Sequence, residues 1–364
     1  MIVHRGAEKP SSSAFNSNGC ATTKGRSKRW SAYSRKIGAA PQHKADSRRF
    51  NTAWTLLGSA TALGASALYA AAQAKQAERR TPPIGAFLTV DGVRLHYVER
   101  GDGEPLVLIH GNGMMIQDFL VSGIVDDLAE RHRVIIFDRP GYGYSDRPRG
   151  LWTPRTHATL FQKALQQLAV AQAVVLGHSW GALVAVALAL QAPQLVRSLV
   201  LASGYYYPTL RADVVLASPV ALPGIGDLMR HSISPVIGRI LQPALLKAMF
   251  APAAVTERFD REFPKAMMLR PIQLRASAED AALMTPSAAE LQKHYRDLRL
   301  PVVIIVGGAD QIADVDRQSK RLHGELPDSH LIVVPGLGHM IQHLAPDAVI
   351  AAIEQASEQV RVAA

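Results

Sequence analysis

The sequence predicts an α/β fold, with a mostly parallel sheet, helices on both faces and an inserted helical segment. Three observations predict it. Short runs of Val, Leu and Ile without polar breaks recur along the chain, as strands buried on both faces require. Amphipathic stretches of helical length separate the runs, so that successive strands return in the same direction. The alternation lapses once, between Gly204 and about Arg299, where prolines recur and no strand-like run appears.

The first 80 residues stand outside this pattern. They carry 14 Lys/Arg against 3 Asp/Glu, a net of +11, whereas the remaining residues hold 26 against 27. The overall formal charge of +10 therefore belongs to a leader, and no nucleic-acid surface is expected on the main domain. Residues 1–52 are basic and rich in Ser, a composition typical of disorder. Residues 53–74 carry no charge, and as a helix they would be about 33 Å long, close to the thickness of a bilayer core. Trp54, Leu56, Leu57, Leu63, Leu68 and Tyr69 supply most of their apolarity.

Three readings of residues 53–74 stay open: an uncleaved signal anchor, a secretory signal ending at Ala72-Gln73-Ala74, and a soluble Ala-rich helix. An anchor would place the amino terminus in the cytoplasm and the main domain on the non-cytoplasmic side, by the excess of positive charge before the span. The other readings leave the domain exported or cytoplasmic. A start assigned too early is a further reading of the first few dozen residues. Residues 75–86 read as a linker. Cys20, the single cysteine, falls in the leader, so the main domain has no intrachain disulfide, Cys-based metal site or thiol nucleophile.

From Phe87 the pattern is strand-like. Phe87–Val90 and Val93–Val98 flank the turn Asp91-Gly92 and predict an antiparallel ribbon. The apolar runs Leu106–Ile109, Val134–Phe137, Val174–Leu176, Leu199–Leu201, Val302–Val306 and Leu331–Val334 then predict the parallel strands. The core is thus expected at 87–203 and 300–364, with a helical cap at 204–299. Met249, Met267, Met268 and Met284 in the insertion are flexible apolar side chains suited either to packing it or to lining a pocket.

The segment Gly177-His178-Ser179-Trp180-Gly181 directly follows a strand run and fits G-x-S-x-G. Its glycines permit a sharp turn from strand to helix, which presents Ser179 at the tip of the turn. A serine hydroxyl is a weak nucleophile unless a base takes its proton and a third group orients that base. Asp310 closes the Val302–Val306 run through Gly307-Gly308-Ala309, and His339 follows Leu331–Val334 after a Pro-Gly turn. In an open parallel sheet, residues just beyond the carboxyl ends of different strands share one edge. Asp314 is an alternative acid. His343 lies four residues from His339, a metal-like spacing, but no third ligand accompanies it and no metal site is expected. His110, His178 and Asp138 are expected to support loops through hydrogen bonds. The glycine loops lack both dinucleotide and P-loop patterns, so no cofactor is expected.

With His110-Gly111-Asn112-Gly113, Phe137-Asp138-Arg139-Pro140-Gly141-Tyr142-Gly143-Tyr144-Ser145, Gly308-Ala309-Asp310 and Gly338-His339, the chain from Phe87 resembles the capped α/β-hydrolase family. The resemblance implies Ser179 as nucleophile, His339 as general base and then acid, and Asp310 as the orienting acid. It also implies an oxyanion hole from the backbone N–H groups of Asn112 and Trp180, with Gly113 a lesser second donor. The His-Gly-Asn start also resembles haloalkane dehalogenases, and the Trp-Gly end of the elbow resembles epoxide hydrolases, but both use a carboxylate nucleophile. A serine forms acyl intermediates instead. The expected function is a cofactor-free serine hydrolase acting on a small apolar carboxylic ester. The alternatives are a C–C bond hydrolase or cofactor-free perhydrolase using the same residues, and a non-catalytic ligand-binding protein. No oligomeric state is indicated.

Overall fold

The computed structural model describes residues 43–209, 218–326 and 328–363. Cys20 and most of the basic leader lie outside the described residues. The chain divides into two compact units, Met1–Trp54 and Thr55–Ala364. Helix α1 (His43–Arg80) is continuous, so neither 52 nor 74 is a break in secondary structure. Residues 43–52 are helical, and so is the first half of the stretch read as a linker. The physical reason lies in composition: Ala, Gln, Lys and Leu favour helix, and no proline occurs until Pro82. Within α1, Trp54–Arg80 is long and apolar enough to cross a membrane by length and composition, and almost all of its apolar stretch is exposed.

The second unit is built on an eight-stranded sheet. The ribbon β1 (Ala86–Val90) and β2 (Val93–Arg100) is antiparallel and joins the sheet through β4. Strands β3 (Glu104–Ile109), β4 (His132–Phe137), β5 (Ala173–His178), β6 (Val196–Ala202), β7 (Val302–Gly307) and β8 (Ser329–Val334) are mutually parallel, in the spatial order β1-β2-β4-β3-β5-β6-β7-β8. The chain leaves β3 to one side for β4, then crosses back to β5 on the other side. That reversal makes the carboxyl ends of β3 and β5 a topological switch point, where ligands of such sheets bind.

Period-two alternation sends neighbouring residues to opposite faces. Val107 and Ile109 pack beneath α4 (Pro154–Gln167) and α5 (Trp180–Gln191), while Leu106 and Leu108 pack with α2 (Gln117–Ser122) and α3 (Ile124–Ala129) on the other face. Helix α5 is apolar around its circumference and buried along nearly its whole length, as a central helix must be.

Between β6 and β7 the chain forms the inserted helical cap: α6 (Ile225–His231), α7 (Ile233–Phe250), α8 (Glu257–Glu262) and α9 (Pro271–Leu291). Three further helices follow β7, namely α10 (Arg321–Glu325), α11 (Ile341–Leu344) and α12 (Pro346–Ala363). Helix α12 covers the same sheet face as α3.

Candidate active site

The elbow is built by contacts that only glycine tolerates. A Cβ on Gly177 would lie 2.5 Å from the Gly181 carbonyl oxygen, and one on Gly181 would lie 2.3 Å from that of Ile109. The strand end, the helix start and the β3 loop therefore approach closely. Ser179, between β5 and α5, has φ 55° and ψ −119°, a conformation that is costly for a side-chain-bearing residue and characteristic of nucleophile elbows. Its own N–H donates to the Ala202 carbonyl, which ties the strained turn to β6.

The structure brings Ser179, His339 and Asp310 together. His339 Nε2 lies 2.9 Å from Ser179 Oγ, and its Nδ1 lies 2.7 Å from Asp310 Oδ2. With Nδ1–H donating to the carboxylate, Nε2 is left to accept from the serine hydroxyl. The other carboxylate oxygen, Oδ1, accepts from the N–H groups of Ile312 and Ala313. Burial raises the Asp310 pKa, but the charge and hydrogen bond of His339 and these two amides outweigh it and hold the carboxyl below its ordinary value. Asp314 takes no part; its side chain accepts from the Arg317 N–H.

The loop after β3 closes the other side. A Cβ on Gly111 would lie 3.1 Å from Ser179 Cβ, so the loop runs directly against the serine. Asn112 is held at both ends of its amide, accepting from Tyr142 Oη at 2.7 Å and donating to the Ser277 carbonyl of α9 at 3.2 Å. Trp180 opens α5, so its N–H is among the first helical amides, which have no intrahelical acceptor. Both predicted oxyanion residues therefore flank Ser179.

The supporting residues do what their positions suggested. His110 Nε2 accepts from the Arg139 N–H and its Nδ1 faces the Gly111 carbonyl; burial, then the Arg139 charge, lowers its pKa to about 4. His178 Nε2 faces the His339 carbonyl at 3.2 Å, and burial followed by the charge of His339 lowers its pKa to about 4 as well. Asp138 accepts from the N–H groups of Ile116 and Tyr144 and lies 2.6 Å from His96 Nδ1. His343 pairs with buried Asp118 at 2.8 Å, and no cluster of metal ligands occurs among the described residues.

Sequence reasoning missed Asp280. This fully buried carboxylate on α9 accepts from Arg139 at 2.6 Å and Arg147 at 2.9 Å, and it lies 2.8 Å from Tyr142 Oη, whose one proton it shares with Asn112. It thereby fastens the cap to the loop after β4 and, through Tyr142, to Asn112. Burial opposes its ionisation, but the two guanidinium groups hold its pKa down at about 2. Only the Arg139-Pro-Gly motif could have hinted at such a partner, and nothing local marks the acid that answers it.

A cavity of about 340 Å³ opens beside Ser179 and His339. Leu241, Leu245 and Met249 of α7, with Met268, Leu269 and Met284, form much of its wall. Its polar lining is Asn112, Tyr205, Gln242 and Ser277 besides the serine and histidine, and no Lys, Arg, Asp or Glu lines it among the described residues. Met267 is the one methionine of the earlier group that turns away; it is buried beside Phe250 and Phe259.

Known proteins are similar to this chain in sequence and fold. The chain is 28% identical to haloalkane dehalogenase 2 of Mycobacterium tuberculosis over 71% of its length and 90% of that protein. It is 27% identical to 2-(acetamidomethylene)succinate hydrolase of Mesorhizobium japonicum, over 74% and 94% respectively. The crystal structure of an alpha/beta hydrolase fold protein from Burkholderia ambifaria superposes with a TM-score of 0.63 at 24% identity, covering 74% of this chain and 96% of that one. The alpha/beta hydrolase fold family profile matches residues 104–346, a span running from β3 past His339 and including the elbow, the cap and the strand ends that meet at the serine; the chain belongs to that family.

Proposed function

We propose that the protein is a serine hydrolase that cleaves a neutral, apolar carboxylic ester through an acyl-enzyme. The observation that carries the reading is the line of hydrogen bonds from Ser179 through His339 to Asp310 beside a cavity that no charged side chain lines among the described residues. His339 Nε2 takes the hydroxyl proton as Ser179 Oγ attacks the carbonyl carbon. The N–H groups of Trp180 and Asn112 stabilise the oxyanion, each worth about 3 kcal/mol of barrier. The imidazolium then protonates the leaving alkoxide, and a water activated by the same nitrogen releases the acid.

The elbow residue separates this chemistry from that of the dehalogenase relative. Displacement of halide needs a carboxylate nucleophile, and this chain carries a hydroxyl. The lining argues likewise against the substrate named for the succinate hydrolase relative, since two carboxylates would meet no cation among the described residues of the cavity. In this reading Trp54–Arg80 anchors the protein with the domain on the non-cytoplasmic side, a placement supported by the helix's length and composition and by the basic residues before it.

The test is labelling by a fluorophosphonate probe with turnover of p-nitrophenyl esters, comparing wild type with Ser179→Ala. Wild type should label and turn over, and the variant should do neither. A folded wild type that does not react, or a variant that labels equally, overturns the assignment.

A further inference from the structure

The cap presents an apolar face that its own fold leaves uncovered. On α6 and α7, Ile225, Leu228, Ile233, Ile237 and Ile240 are 62, 59, 40, 47 and 72% exposed. On α7 these residues recur at helical spacing and form one stripe. Exposed side chains of this size in a contiguous stretch mark an interaction surface.

The same surface adjoins the apolar helix α1. Ser66 Oγ donates to the Ser232 carbonyl between α6 and α7, and Arg239 of α7 donates to Tyr69 Oη and Gln73 Oε1. Ala70, on the same turns, is 2% exposed. The uncharged part of α1 runs to Ala74, with the first charge at Lys75. If that part is immersed in lipid, whatever packs against Ser66–Gln73 is immersed beside it. These residues span about 10 Å of helix rise, which matches the depth, about 5–10 Å, to which interfacial helices sink. The cap elements at that level are the ones bearing the isoleucine and leucine stripe. Arg239 and Tyr69 pair where α1 approaches its charged end, the level at which amphipathic side chains sit between apolar and polar layers.

The cavity opens on this face as well. Leu241 and Leu245 line it, yet are 58 and 50% exposed. We infer that the α6–α7 face of the cap is a membrane-docking surface seated in the bilayer around α1, so that the cavity mouth draws its ester from the lipid phase. The part about the ester rests on the proposed esterase activity, and the docking rests on the proposed anchoring by α1 alone.

The experiment uses the full-length protein, carrying Cys20→Ser, reconstituted into phosphatidylcholine vesicles. An environment-sensitive fluorophore is placed at Ile240→Cys, and in a control at Gln172→Cys, which lies at the amino-terminal edge of β5, away from the site. Blue-shifted emission and quenching by nitroxide-bearing lipid are expected at 240 and not at 172. Equal quenching at both sites, or none at 240, overturns the docking. Cross-linking of 240 to 240 without lipid quenching also overturns it, by assigning the face to a second copy of the chain.

A triple variant, Ile225→Glu, Leu228→Glu and Ile240→Glu, then tests delivery. It should lose at least about ten-fold in hydrolysis of a vesicle-dissolved long-chain ester while hydrolysing soluble p-nitrophenyl acetate at the wild-type rate. Wild-type rates on both esters overturn delivery through this face. A wild type that is quenched at 240 but turns over neither ester leaves the docking standing and refutes the esterase reading.

Discussion

Replacing Asp310 by Asn removes one charge and almost no volume, and the structure dictates how the amide must sit. Oδ1 accepts two backbone hydrogen bonds, from Ile312 at 2.8 Å and Ala313 at 2.9 Å. An amide NH2 placed there would face two donors, so in Asp310→Asn the carbonyl oxygen keeps that position and the NH2 turns toward His339. The histidine Nδ1, 2.7 Å away in the wild type, must then accept, which moves the ring proton to Nε2. Nε2–H donates to Ser179 Oγ and cannot take its proton. The expected loss in kcat is roughly ten-thousand-fold, with KM little changed, equivalent to about 5.5 kcal/mol of barrier. Steady-state hydrolysis of p-nitrophenyl acetate measures it, with thermal unfolding to verify that the variant is folded. A folded Asp310→Asn enzyme within ten-fold of wild type would refute the assigned tautomer and, with it, the role of Asp310.

Two further predictions concern stability. Asp280→Asn strips the shared negative charge from Arg139 and Arg147, whose side chains are 0% exposed, and should cost about 3–5 kcal/mol, a fall in Tm on the order of 10 °C by calorimetry; an unchanged Tm would mean that the remaining amide oxygen and, for Arg147, the Glu279 carboxylate suffice. His110, His157 and His178 are held neutral mainly by burial, with folded pKa values of about 4, 3 and 4 against 6.5. Because the unfolded chain binds their protons first, the stability they contribute is complete above about pH 6.5 and is lost as pH falls toward 4, at up to roughly 4 kcal/mol per pH unit for the three together. Denaturant midpoints at pH 7.5, 6 and 5 should decline steeply, and a flat profile would contradict their burial as neutral rings.

Residues 177–181, 307–310 and 335–339 were legible in the sequence because each is a turn at the end of an apolar strand run. Turn chemistry is local, and parallel topology brings such turns to one edge. The sheet and the stretch of chain that forms the insertion followed from the same periodicity, whereas the placement of that insertion over the sheet did not. Asp280 was not legible, since its partners lie more than 130 residues away and a carboxylate in a helix carries no mark of burial. The end of the apolar helix was misjudged for a related reason. Residues 75–86 read as a linker, whereas alanine-rich helix continues past Lys75 to Arg80, just before the prolines.

The sequence by itself determined the fold class, the chemical type of the elbow residue and the order of the residues that meet it, because these depend on local patterns and on the geometry of parallel strands. Tertiary structure alone decided which methionines line the cavity, how Asp280 locks the cap to the Asn112 loop, and that the apolar side chains of α6 and α7 face outward beside α1. Those are matters of which surface each side chain meets after folding, and helical spacing leaves open whether an apolar stripe meets a protein core or is left without a protein partner.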